Sequence, residues 1–101
     1  MISVSLITNG NLTVGFEVKG HSMNAESGQD IICAFVSSAC YMTANTITEI
    51  LGINASAKVD DGYMLITIPV EQAESAQDIL NGFSLHMTEL AKDYPKNVKV
   101  I

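Results

Sequence analysis

Apolar and polar residues alternate at the start of the chain, where Ser3 and Ser5 separate Ile2, Val4 and Leu6. A period of two turns one face of a strand toward a core. Asn9-Gly10 follows, a pair whose tolerance of positive φ suits a tight hairpin turn. The return segment carries Leu12, Val14, Phe16 and Val18 on one face. Residues 2–19 therefore predict a β-hairpin, which ends at Lys19-Gly20 just before His21.

Residues 21–29 have no apolar periodicity and include Ser22, Asn24, Ser27 and Gly28. They read as a loop, longer than joining two elements requires. The spacing then becomes helical, with Ile32, Val36, Ala39, Thr43, Ile47 and Ile50 on one stripe. Gln29 or Asp30 is the expected cap and Gly52 the expected terminator. Ala57-Lys58-Val59 and the run from Tyr63 to Val70 flank Asp60-Asp61-Gly62 and predict a second hairpin. Pro69 marks the end of that strand or a sheet edge. Residues 71–94 predict a second helix, with Ala76, Leu80, Phe83, Met87, Leu90 and Tyr94 buried and Pro95 ending it. Val98 to Ile101 closes as a short strand. The order β-β-α-β-β-α-β defines an α+β fold, a largely antiparallel sheet packed by two helices. Residues 1–101 form a single domain.

Charge then limits the partners. Lys and Arg number 5 against 11 Asp and Glu, for a formal net charge of −6. Phosphate binding needs clustered basic residues, so direct nucleic-acid binding is not expected. An acidic chain suits a basic partner. The first helix carries no charge between Ile31 and Thr48. A helix that is small or apolar all round is covered on more than one side. The sheet supplies one cover, and the second helix or a second subunit the other, which makes a homodimer the expectation. Ser37, Ser38, Thr43, Asn45, Thr46 and Thr48 interrupt this run, so it is read as a core helix rather than a membrane span.

Two cysteines make no disulfide framework. Cys33 and Cys40 would lie about 10 Å apart along one helix, too far for a bridge. Reduced thiols and a start without a basic-then-apolar signal sequence predict a cytoplasmic protein. Neither a Gly-rich phosphate loop nor Cys/His metal spacing is present, so no cofactor or metal is expected.

The candidate chemistry centres on Cys33. With Asp30 as N-cap, Cys33 becomes the third helical residue, beside unpaired backbone N–H groups and the positive end of the helix dipole, which favours thiolate. Those N–H groups suit an oxyanion hole. A buried packing thiol is the plainer reading, and it is the one adopted for Cys40. His21 follows a glycine at a strand end and has the pKa range to take the thiol proton and return it to a leaving amine. A solvated loop histidine is its plainer reading. His86, the other histidine, flanks the second helix's stripe and competes only weakly. Asp30 either caps the helix or holds the His21 ring. Ser37, one turn after Cys33, hydrogen-bonds near the thiol or back-bonds to the helix.

Gly20-His21, then Gly28-Gln29-Asp30-Ile31-Ile32-Cys33-Ala34 and Ser37, resemble the signature of the ribosomal-processing cysteine protease family, Prp. Outside this signature the likeness is one of length and element order. The resemblance implies a bacterial cytoplasmic homodimer that removes an N-terminal extension from a large-subunit ribosomal protein. It implies Cys33 as nucleophile, His21 as general base and acid, and Asp30 in support. Gly20 and Gly28 then bound a loop that admits the peptide, and the substrate segment lies extended near the first helix. Ser22 stands where the family most often has alanine, and Met23-Asn24 also departs from it. Two other classes fit the same residues. A non-catalytic ribosome-assembly factor would keep Cys33 as packing, and a thiol-redox sensor would oxidise it without cleaving peptides.

Overall fold

Two hairpins build most of the sheet, and each turns on a glycine in the left-handed region. β1 (Ile2–Asn9) and β2 (Leu12–Lys19) are joined through Gly10 at φ 62°. β3 (Ser56–Asp60) and β4 (Tyr63–Thr67) are joined through Gly62 at φ 71°. The protein is seen in a computed structural model that describes residues 1–20 and 29–101. Its five strands lie in the order β3-β4-β2-β1-β5. β5 (Val98–Val100) runs parallel to β1 and every other pairing is antiparallel. Val4 sits opposite Val18 and Leu6 opposite Phe16, while Phe16 and Val18 face Ile66 and Met64 of β4. One face of the sheet is thereby continuously apolar.

Two helices cover that face. α1 (Gln29–Asn45) buries Ile32, Cys33, Val36, Cys40, Thr43 and Ala44. It begins at Gln29, so Asp30 is its second residue rather than its cap. Gln extends a helix more readily than Asp does, and the helix propagates back past the expected boundary. The last turn widens into a π-helical segment, Thr46–Ile50. Thr46 and Thr48 back-bond there to the carbonyls of Met42 and Ala44 at 2.8 and 3.1 Å, a pattern that loosens a helix crowded with β-branched residues. The Leu51 N–H donates to Thr46 O at 2.9 Å. This widening carries Ile50 off the stripe, and it stands 78% exposed rather than buried as expected.

The second helix also differs from the expectation. A 3₁₀ segment, Val70–Ala76, precedes α2 (Gln77–Asp93), so residues 71–76 are not α-helical. Gln77 marks the junction: its Oε1 accepts from the Thr13 N–H at 3.0 Å, and its Nε2 donates to Thr13 O at 2.9 Å and Ala73 O at 2.7 Å. One side chain thus pins the start of β2 beneath the second helix. Leu80, Phe83, Met87 and Leu90 form the buried stripe as predicted, while Ala76 is buried in the 3₁₀ segment and Tyr94, expected in the stripe, is half-buried just past the helix end. Phe83 meets Phe16 with ring centroids 4.3 Å apart.

The run Ile31–Ile50 is long and apolar enough to cross a membrane by length and composition alone, so its hydroxyl side chains do not set it below that level. Packing on the sheet accounts for one of its faces. Ile31, Phe35, Tyr41 and Met42 on the other side stay exposed within the chain, and α2 covers only part of that surface.

Thr43 is fully buried, and among the described residues its hydroxyl is the one buried side-chain oxygen or nitrogen without a hydrogen-bond partner. An orphaned hydroxyl in a core is a net cost. Thr43→Val, which keeps the shape, is therefore expected to raise the unfolding free energy by about 1 kcal/mol. Urea denaturation of the two proteins checks this.

Candidate active site

The stripe that seats α1 on the sheet turns Cys33 inward, where it is 3% exposed. Three other parts of the chain are brought to the same corner by backbone hydrogen bonds. The Gly20 N–H donates to Gly62 O at 2.7 Å and holds the end of β2. The Ile2 N–H donates to Asn97 O at 2.7 Å, and the Asn97 N–H to Tyr94 O at 2.9 Å. The start of β1, the end of β2, the first turns of α1 and the turn before β5 thus enclose one cleft of about 60 Å³. Gly20, Cys33, Lys96 and Asn97 line it, together with Met1, Ile2 and Ile32.

Gly20 is required there twice over. Its φ is 92°, a region that side chains resist. A Cβ would also stand 2.6 Å from the Met1 carbonyl oxygen, which is backbone and cannot swing aside. The glycine therefore lets β2 end against the first residue of the chain.

The predicted site residues fall into three groups. Gly20 and Cys33 come together on the cleft. Ser37 is half-buried on α1, four residues after Cys33. Asp30 lies in the first turn of α1, which makes Cys33 the fifth helical residue rather than the third. At that position the thiol stands just past the first turn, at the edge of the reach of the helix dipole. His21, Ser22 and Gly28 lie outside the described residues. His86 is exposed on α2 and does not line this cleft. Both cysteines are reduced thiols. Burial pushes Cys40 up to about 12, so it stays protonated and inert at neutral pH, as its core reading requires. Among the described residues no three His, Cys, Asp or Glu side chains gather as a metal site would need.

Lys96 and Asn97 were not legible as site residues. They sit near the other end of the chain, after a helix-stopping proline, and only the pairing of β5 with β1 brings them to the thiol. An ammonium bordering the cleft favours thiolate over thiol.

A thiol in the opening turns of a helix, walled by a strand end and a charged turn, defines a small α+β thiol enzyme. The family model described as Cysteine protease Prp matches residues 1–99, and the chain belongs to that family: it is a cysteine protease. The Ribosomal processing cysteine protease Prp of Bacillus subtilis (strain 168) is 28% identical over 93 residues, covering 86% of this chain and 83% of its own length. Among solved structures, SMU.848 from Streptococcus mutans superposes with a TM-score of 0.87 at 29% identity, over 99% of this chain and 91% of that one. The S. aureus protease Prp in complex with a substrate peptide gives 0.88 at 21% identity, over 100% and 98%. At that identity the likeness speaks for the fold alone.

Two substitutions test the corner. Gly20→Ala is expected to lower the unfolding free energy by about 1–3 kcal/mol, measured by chemical denaturation. Lys96→Met is expected to slow iodoacetamide alkylation of Cys33 near neutral pH and to move its pH profile upward, because the cation that favours thiolate is gone. An unchanged profile would take Lys96 out of the electrostatics of the site.

Proposed function

We propose that this protease removes an N-terminal extension from a bacterial large-subunit ribosomal protein, with Cys33 as nucleophile and His21 as general base and acid. The observation that carries this reading is that Gly20 and Cys33 line one cleft. His21 follows Gly20 directly in the sequence, so the residue proposed as base is bonded to one that lines the cleft. The name of the B. subtilis relative, a ribosomal processing protease, supports the substrate class. The S. aureus relative solved with a covalently linked product peptide supports a covalent intermediate.

In the proposed reaction His21 takes the Cys33 proton and the thiolate attacks the scissile carbonyl carbon. Backbone N–H groups at the start of α1 face the developing oxyanion. The C–N bond breaks as His21 returns its proton to the leaving amine. Water, deprotonated by the same imidazole, then hydrolyses the thioester and frees the thiol. Asp30 supports the site from the first turn of α1, and Gly20, Ser22, Gly28 and Ser37 serve as substrate-loop and supporting residues. The cleft of about 60 Å³ has room for little more than a few waters, so the peptide enters as its walls part.

The net charge of −6 favours a basic ribosomal protein, an attraction that salt weakens. The reaction is placed in the cytoplasm, where both thiols stay reduced. A homodimer is proposed through Tyr41, Ile50 and Leu51, which are exposed on the outer side of α1 and its π segment. No cofactor takes part in this scheme.

Mass spectrometry of the ribosomal protein, incubated with the wild-type enzyme and with Cys33→Ala, tests the reading. A single N-terminal cut by the wild type and none by the variant is expected. His21→Ala should slow the cut by at least about a hundredfold, the usual contribution of a general base. Equal cutting by wild type and Cys33→Ala would remove Cys33 from the mechanism.

A further inference from the structure

The turn before β5 places Asn97 on the same small cleft as Cys33. Both main-chain groups of Asn97 are committed. Its N–H donates to Tyr94 O at 2.9 Å, and its carbonyl accepts from the Ile2 N–H at 2.7 Å. The next residue, Val98, is buried, donates to Tyr94 O at 3.0 Å and pairs with Ile2 in the parallel ladder. Asn97 is therefore fixed from the turn, from β1 and from the core. Its carboxamide is the group left over, and among the described residues it makes no hydrogen bond. An asparagine in a turn commonly bonds back to its own backbone, and this one does not.

The first turns of α1, another wall of the cleft, supply fewer donors than a thiol near a helix start suggests. α1 begins at Gln29, so the i→i−4 ladder takes up the N–H of Cys33, its fifth residue. The N–H groups that the helix leaves unpaired lie upstream of the thiol and reach an oxyanion from the α1 side alone. Donors serve an oxyanion best when they are fixed in place before the reaction. Asn97 meets that condition through its main-chain bonds. The cleft is about 60 Å³, room for little more than a few waters, so a carbonyl oxygen bound there lies close to every wall.

We propose that the Asn97 carboxamide is a donor of the oxyanion hole, a further catalytic residue of this protease. The proposal rests on the reading of Cys33 as nucleophile. As the S–C bond forms, the carbonyl π pair moves onto oxygen, and the Asn97 Nδ2–H hydrogen-bonds to the resulting oxyanion. No proton is transferred in that contact. The electron pair returns to carbon as the C–N bond breaks and the leaving nitrogen takes its proton from the general acid. The contact strengthens as charge builds on the oxygen, so it lowers the barrier rather than tightening substrate binding. An effect of Lys96 on thiol ionisation belongs to an earlier step, which makes the two neighbours separable by experiment.

Asn97→Ala keeps the main-chain bonds of the turn, and circular dichroism checks its fold. With a peptide spanning the cut located by mass spectrometry, kcat is expected to fall about a hundredfold or more, the usual loss on removing one such donor. Added to the Cys33→Ala protein, the same change should leave peptide affinity within about twofold. A peptide aldehyde ending at the cut bonds to the thiol as a tetrahedral hemithioacetal, and its inhibition should weaken by about tenfold or more. Alkylation of Cys33 by iodoacetamide forms no oxyanion and should stay within about twofold of the wild type. A merely structural role would slow alkylation and weaken peptide affinity together with cleavage, and that result overturns the proposal. So does a kcat within about twofold of the wild type. Asn97→Asp keeps the shape but not the donor, so cutting by that variant at the wild-type rate also overturns it. If Cys33→Ala still cuts, the reading of Cys33 fails and the proposal falls with it. If Cys33→Ala is inert while Asn97→Ala cuts normally, Asn97 fails alone.

Discussion

The burial of one face of α1 on the sheet is the contact on which the rest depends. Ile32, Val36, Cys40 and Ile47 must leave water, and the surface that receives them is the paired face of Val4, Phe16, Val18 and Met64. Each such side chain contributes about 1.5–3 kcal/mol on burial, so the helix has little freedom to rotate. Cys33 lies on the same inward arc and is carried to the end of β2 by packing alone. The position of the thiol is thus a consequence of core energetics. The chemistry then asks only that the neighbouring backbone be shaped around it, which Gly20 and the Tyr94–Asn97 turn do.

That shaping is made of backbone more than of side chains. The cleft is closed by hydrogen bonds from Gly20 to Gly62 and from Ile2 to Asn97, all between main-chain groups that sequence variation leaves in place. The residue that cannot vary freely is Gly20, where positive φ and the Met1 carbonyl act together. Lys96 is the exception, a charged side chain on the wall of the cleft.

Local rules made the hairpins legible. Period-two alternation and the Asn9-Gly10 and Asp61-Gly62 turns depend on neighbours in sequence, and both hairpins form at those turns, although the strand expected to reach Val70 ends at Thr67. The membership of the α2 stripe was legible for the same reason. Helix ends were not: Gln29 and the π segment at Thr46–Ile50 reflect small differences in propensity and back-bonding that a stripe does not record. Nor was the break at Gln77, which arises because its amide bonds to Thr13, far away in sequence. The parallel pairing of β5 with β1 is likewise non-local, and with it came the places of Lys96 and Asn97. At the site, Cys33 stood out by its place near a helix start and Gly20 by the family signature, and both line one cleft. The burial of the thiol and the position of Asp30 within the helix required three dimensions.

The most direct test of the account is an ultraviolet titration of the Cys33 thiolate in the wild-type protein and in His21→Ala. Cys40, held protonated by burial up to about 12, contributes nothing at neutral pH. If Cys33 and His21 form a coupled pair, the wild type titrates below an ordinary thiol, and removing the imidazole moves the titration upward. Identical curves for the two proteins would contradict the proposed pairing of Cys33 with His21.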